Sequence, residues 1–259
     1  MRVGASASVP AITLWWAISA VGLASAGEIP SPDFAHLPPI ATRTVAERTG
    51  ELLSSSRTWI EPVTSEGQSL VAVRSRTFQP LGTTVEERTL LRAGATVRCL
   101  EEEHRVVDAK GETVALNMKQ FRHEALPFLA DTVPPDTYPP GAALLYLLGS
   151  LPLDHDGRGS FHVMGEAMVW RMLAWDGGNE EITVPAGHFA TRRLRLRPDP
   201  ESLGFPGFLR PFVRYFIPEF EAWIASDPPH LAVRVKGPLG PARERDVVVE
   251  LTASGAGST

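Results

Sequence analysis

The sequence is poor in the residue patterns that announce a reaction. Cys99 is the only cysteine in 259 residues, which excludes an intramolecular disulfide framework and any zinc site built on several thiolates. Lysine occurs three times against 22 arginines, a bias that reads as GC-rich coding rather than a binding signal. Positive charge is not in excess: 25 basic residues face 30 acidic ones, which argues against a general nucleic-acid binder. No Gly-x-Ser-x-Gly elbow, His-Glu-x-x-His helix or phosphate-cradling glycine loop is present. The seven histidines (His36, His104, His123, His155, His162, His188 and His230) are scattered, and none pairs with another at the i+2 to i+4 spacing that offers two ligands to a metal. Neither a metal nor a cofactor is expected.

Long apolar runs are also missing, with one exception at the start. Arg2 is the only charge before an apolar stretch from Pro10 to Leu23, and Ala24-Ser25-Ala26 follows. That is the layout of a cleavable signal peptide, with small residues for the peptidase, and the apolar part is shorter than the roughly 20 residues that span a bilayer. Cleavage after Ala26 is expected, giving a periplasmic or secreted protein of 233 residues with 24 basic and 30 acidic side chains. A chain of that length buries enough surface to dispense with disulfides. Cys99, inside a strand-like run, is expected to be a buried small hydrophobe.

What the sequence has in abundance is turn chemistry: 22 glycines and 23 prolines. Residues 27–62, with Pro30, Pro32, Pro38 and Pro39, read as a Pro-rich leader with one short helix near Val45–Leu53. From Ser69, short β-runs alternate with turns. Ser69–Phe78 and Thr84–Leu91 flank Gln79-Pro80-Leu81-Gly82, Thr96–Leu100 begins a third run, and His104–Asp108 and Thr113–Met118 flank Ala109-Lys110-Gly111-Glu112. A proline-stiffened connection, Thr132–Gly141, leads to Ala142–Leu148, a helix without a polar face that has to be buried. Ser160–Trp175 is expected to turn at Asp176-Gly177-Gly178-Asn179, followed by Glu181–Val184, His188–Arg197, Phe220–Ala225, Leu231–Lys236 and Asp246–Thr252. The expectation is a mainly β protein of ten or eleven strands: one antiparallel domain over 63–253, an aromatic insertion at 201–219, and a frayed tail at 254–259.

The second half carries a cadence of its own. Val184-Pro185-Ala186-Gly187-His188-Phe189 opens a strand, Phe220-Glu221-Ala222-Trp223-Ile224 leads to Asp227-Pro228-Pro229-His230, and Gly237-Pro238-Leu239-Gly240-Pro241 precedes the last strand. This resembles the bacterial exported family catalogued as domain of unknown function 3108, over roughly Ser69 to Thr252. The resemblance implies a strongly curved antiparallel sheet wrapped over a helix, like the half-open barrels of the periplasmic lipoprotein-localisation carriers. It implies no catalytic residues.

Four clusters offer themselves as sites. Gly204–Phe220 places Phe208, Phe212 and Tyr215 on one helical stripe widened by Phe216, with Arg210 and Arg214 opposite; this suits a lid over an apolar cavity, or else a loop that finishes the core. With Phe205, Trp223, Leu144 and Leu148, these aromatics form the expected ligand-binding set. Arg193, Arg195 and Arg197 share a strand face that could grip phosphate or carboxylate groups, or simply be solvated. Asp154-His155-Asp156-Gly157 holds two carboxylates that could share calcium, though an ordinary turn uses the same residues. A hydrolase would draw on His162 or His230 with Asp154 or Asp227, and no spacing supports it. The resulting expectation is a non-catalytic, monomeric binder of a lipid-like or other apolar envelope component, touching membrane at most peripherally; the alternative is an interaction module docking on an envelope protein.

Overall fold

The computed structural model describes residues 29–65, 67–80, 82–120, 134, 136–139, 141–164, 169–202, 217–239 and 245–255. Thirteen strands form a single sheet in the order β6-β5-β4-β3-β2-β1-β13-β12-β11-β10-β9-β8-β7. The strands are β1 (Ile40–Ala46), β2 (Leu52–Ser65), β3 (Gln68–Phe78), β4 (Thr84–Arg92), β5 (Arg98–Val107), β6 (Thr113–Gln120), β7 (Thr137–Tyr138), β8 (Arg158–Met164), β9 (Val169–Val184), β10 (Gly187–Pro198), β11 (Phe220–Ala225), β12 (Ala232–Leu239) and β13 (Arg245–Ser254). Every neighbouring pair is antiparallel except β7 and β8.

This order is two meanders stitched together. Short turns build β1 to β6, β8 to β10 and β11 to β12 as successive antiparallel neighbours, while β10 and β11 pair across the longer segment 199–219. The last strand, β13, then joins them by pairing with both β12 and β1.

The sheet curls around the helix α1 (Ala142–Leu147), which touches β3 on one side and β12 on the other, and β7 comes up against β5. No backbone ladder joins β7 to β5 or β6. The sheet therefore nearly meets itself without closing into a barrel.

The apolar segment after the proline-rich connection is helical and buried, as its lack of a polar face requires. Ala143, Tyr146, Leu147 and Leu148 are almost wholly shielded, packed with Val73, Leu91, Cys99, Phe161, Leu194, Val233 and Leu251 from strands around the whole sheet. Tyr146 keeps its hydroxyl satisfied by donating to the Pro38 carbonyl at 2.9 Å. Burial pushes the Cys99 thiol far above its ordinary pKa, with the charge of Glu102 adding to the effect.

Three local expectations are corrected. Within the expected Pro-rich leader over 27–62 there is no helix at Val45–Leu53: Ile40–Ala46 and Leu52–Ser65 form β1 and β2, in the middle of the sheet. Ala46 ends β1, and the helix formers Glu47 and Arg48 sit in the tight turn between those strands. It is closed by the Ala46 amide donating to the Glu51 carbonyl (2.9 Å), with Gly50 at φ +69°. Thr96–Leu100 and His104–Asp108 are not two strands, since β5 runs from Arg98 through Val107. The Asp176–Asn179 segment does not turn either. β9 runs straight through it for 16 residues, and the ladder with β10 shifts register between Arg192 and Leu194. Asp176 accepts from the Gly178 amide (2.8 Å), Gly178 has φ +90°, and Gly177 leaves no room for a Cβ beside Arg193. That is a bulge, for which two glycines in a strand are the ordinary requirement.

Candidate functional site

Register assigns each side chain to the helix-bearing face of the sheet or to the opposite face. Along β10, Leu194 and Leu196 are buried towards the helix, so Arg193, Arg195 and Arg197 project from the opposite face. Trp223 lies directly across from Arg193, and Arg234 directly across from Trp223. Trp223 therefore does not face the hollow.

On that opposite face a ladder of alternating groups crosses the sheet from β9 to β1. The Trp223 indole N–H donates to Glu180 at 2.7 Å. Arg193 lies 3.6 Å from Glu180 and 3.7 Å from Glu221. The Arg234 guanidinium stacks over the Trp223 ring at 5.7 Å and donates to Glu250 at 2.8 Å, while Arg43 donates to the second oxygen of Glu250, also at 2.8 Å. Arg197 stacks over Trp175 at 5.1 Å, 3.8 Å from Glu219, and Arg195 is exposed. Two of the three arginines expected to contact an anion are thus engaged by carboxylates of their own sheet. Burial alone would raise the pKa of Glu250, but its bonds from Arg43 and then Arg234 outweigh that and hold its carboxyl below the usual range.

The same face holds a shallow cavity of about 130 Å³ over β2 to β5, lined by Trp59, Arg74, Arg76, Glu86, Arg88 and Arg105 among others. Here too the charges are matched. Arg74 pairs with Glu61 (2.7 Å), Arg76 with Glu86 (2.7 Å), Arg88 with Glu101 (2.9 Å) and Arg105 with Glu103 (3.2 Å). The cavity is polar and electrically balanced, so it does not concentrate one sign of charge.

The helix-bearing face is mixed. Around α1 it is apolar; towards β4, β5 and β6 it carries Ser75, Glu87, Thr89, Glu102, His104 and Lys119, the register partners of one another. Ser75 donates to Glu87 at 2.9 Å, and Gly141, at the start of α1, packs so closely on that carboxylate that a Cβ would meet it at 2.9 Å. Glu102 lies 3.9 Å from Lys119. Its carboxyl is pushed upward by burial, against the pull of Lys119.

Of the residues expected to bind a ligand, Leu148 is fully shielded in the core and Leu144 is half-buried on α1 beside half-buried Leu145. Phe205, Phe208, Phe212, Tyr215 and Phe216, with the rest of the insertion from 203 to 216, lie outside the described residues.

The expected catalytic pairings do not form. Asp154 accepts the backbone amides of Asp156 (2.9 Å) and Arg158 (2.8 Å), the signature of an Asx turn. These N–H groups, that of Arg158 first, hold its carboxyl below the usual range. His230 Nδ1 lies 3.2 Å from the Ala225 carbonyl. His162 instead meets Asp136, a residue not singled out from the sequence, with Nδ1 at 2.8 and 2.9 Å from the two carboxylate oxygens; Asp136 is 1% exposed. Beside them Thr137 Oγ1 is buried without a hydrogen-bond partner, and so is the hydroxyl of Tyr138, whose ring packs edge-on against Phe161. The pair has the geometry that orients a general base, but no nucleophile completes it among the described residues. A signal for it existed: Asp136-Thr137-Tyr138 stand between Pro134-Pro135 and Pro139-Pro140, prolines that exclude a helix there and leave Asp136 in a turn leading into β7.

No family model matches the sequence, and no curated protein does; the resemblance of the second half to the exported family gains nothing from either. Two solved structures follow a similar chain course. One is described as a "putative exported protein with YmcC-like fold" from Bacteroides fragilis, at 11% identity and a TM-score of 0.40, covering 90% of this chain and all of that one. The other is described as a "putative lipoprotein" from Parabacteroides distasonis, at 12% identity and a TM-score of 0.37, covering 89% of this chain and all of that one.

Proposed function

We propose that this chain is an exported protein of the cell envelope that binds a lipid-like or other apolar component without transforming it. The observation that carries the reading is the unclosed seam over an apolar helix. β7 abuts β5 with no ladder between them, and α1 beneath the curled sheet leaves Leu144 and Leu145 partly uncovered. Among the described residues no backbone ladder bridges the seam, so these strands part without breaking one and a ligand can enter where a closed barrel would exclude it. The deep core is occupied by Leu147, Leu148 and Phe161. The ligand's place is therefore against the outward side of α1, and Leu148 supports that side from behind. Export rests on the charge, apolar core and Ala24-Ser25-Ala26 of the first 26 residues.

The test is organic extraction of the purified full-length protein followed by mass spectrometry, with titration of a fluorescent fatty acid alongside. A co-purifying amphiphile is expected, together with probe binding that falls about tenfold in Leu144→Asp, the loss of roughly two buried methylenes of contact. Protein free of amphiphile that also ignores the probe would remove the proposal, and so would a probe affinity indifferent to Leu144→Asp.

A further inference from the structure

The acids on the two faces of the sheet are served differently. On the face away from the helix, Glu86, Glu101, Glu103 and Glu250 each have an arginine nitrogen between 2.7 and 3.2 Å away. The helix-bearing face carries Glu87 on β4 and Glu102 on β5, and among the described residues no arginine pairs with either. The basic groups within 4 Å are His104 for Glu87 and Lys119 for Glu102, each at 3.9 Å, which is beyond hydrogen-bond length. Glu87 accepts from Ser75 at 2.9 Å. Glu102, only 9% exposed, accepts no hydrogen bond among the described residues. Burial, and the charge of Glu87 with it, push the Glu102 carboxyl upward against the pull of Lys119, so the two acids stand close enough to repel each other. This corner adjoins the apolar lining. The Glu87 carboxylate packs on Gly141, directly before the helix that carries Leu144 and Leu145. The Glu87 and His104 side chains are 26% and 44% exposed, so a ligand beside α1 reaches them.

We infer that the apolar ligand of this protein carries a cationic amine head, which lies between Glu87 and Glu102 while its chain rests on Leu144 and Leu145. This rests on the ligand binding proposed above and adds to it the class of head group. An ammonium supplies the hydrogen-bond donors that the two carboxylates lack, and it cancels their mutual repulsion. Charge-assisted bonds of this kind are the strong ones, and they make a charge tolerable in a partly dry place. A carboxylate or phosphate head would instead bring a third negative charge into the same corner, where repulsion is several-fold stronger than in water. Glu87, Glu102 and His104 do not converge into a metal-binding group, so the geometry favours an organic cation over a metal ion.

Two fluorescent probes of equal chain length, one ending in a carboxylate and one in a primary amine, are titrated into the full-length protein at neutral pH. The amine should bind about tenfold more tightly, because attraction for one head is set against repulsion of the other. Glu102→Gln keeps the shape of the side chain and should cut that preference to about threefold. Glu87→Gln combined with Glu102→Gln should abolish it; if the double variant does not fold, Glu102→Gln alone carries the test. Glu181→Gln removes an acid whose side chain is 74% exposed and should leave the preference intact, which separates the site from a general attraction of cations to an acidic protein. Equal affinity for the two probes overturns the head-group assignment and leaves the binder standing, whereas no binding of either removes both. A preference untouched by Glu102→Gln, or reduced as much by Glu181→Gln, overturns the assignment as well.

Discussion

Glu250 is the side chain on which most charge converges, since its two oxygens take one arginine from each neighbouring strand. Glu250→Gln is expected to cost about 2 kcal/mol, below the 3–5 of a fully buried pair because Arg43 remains half-exposed. Its folded pKa is depressed, so the stabilisation is complete above the unfolded carboxylate value and lost as pH falls through the folded one. Denaturant titrations at pH 7 and at successively lower pH should show the variant losing less stability on acidification than the parent. Glu102 has the opposite sign. Its raised folded pKa favours the native state below the unfolded value, a gain lost as pH rises through the folded value. Glu102→Gln should therefore be at least as stable as the parent at pH 7 and lack its relative gain on mild acidification. Among the candidate residues, the arginine row was legible from its alternation with Leu194 and Leu196. Its neutralisation by Glu180, Glu221 and Glu219 was not, because those acids arrive from two other segments, β9 and the start of β11. Asp136 went unnoticed because its partner His162 lies 26 positions along the chain.

Among the elements, the glycines that matter are those that let packed surfaces approach. A Cβ on Gly237 in β12 would strike the Phe220 ring, and one on Gly149 would strike the His230 carbonyl. Gly237→Ala and Gly149→Ala should each lose about 1–3 kcal/mol through overpacking. Gly67→Ala meets nothing within 4 Å and carries only the strain of φ +76°, about 1 kcal/mol. Thermal denaturation of the three variants should rank them in that order. Hairpin strands such as β3, β4, β6 and β10 were readable because Pro, Gly and Asp at their turns fix both ends locally. β1 and β2 were hidden by the prolines around them and by polar residues on the buried face, where Thr42 and Thr58 are shielded. A threonine facing the core breaks the apolar alternation that marks a half-buried strand, although its branched side chain suits the pleat.

For the whole molecule, β13 is the connection between two otherwise separate meanders. Removing the chain from Arg245 onward is expected to abolish cooperative unfolding, because β1 and β12 would each lose a partner along their length. A far-UV melt of the truncated protein would show no sigmoidal transition, whereas a melt like the parent's would mean that the meanders fold independently. The sequence alone determined the mainly β class, the hairpins, the burial of α1 and Cys99, and the export-type N-terminus. Each of these is a matter of local alternation, turn residues or composition, which act within a few positions of one another. The tertiary structure alone decided that residues 40–46 pair with residues 247–254, that the sheet curls until β7 meets β5 without joining it, and that Trp223 belongs to the charged face. Those outcomes depend on register between strands up to about two hundred residues apart. Register of that kind is set when the whole sheet packs around one helix, and no local pattern encodes it.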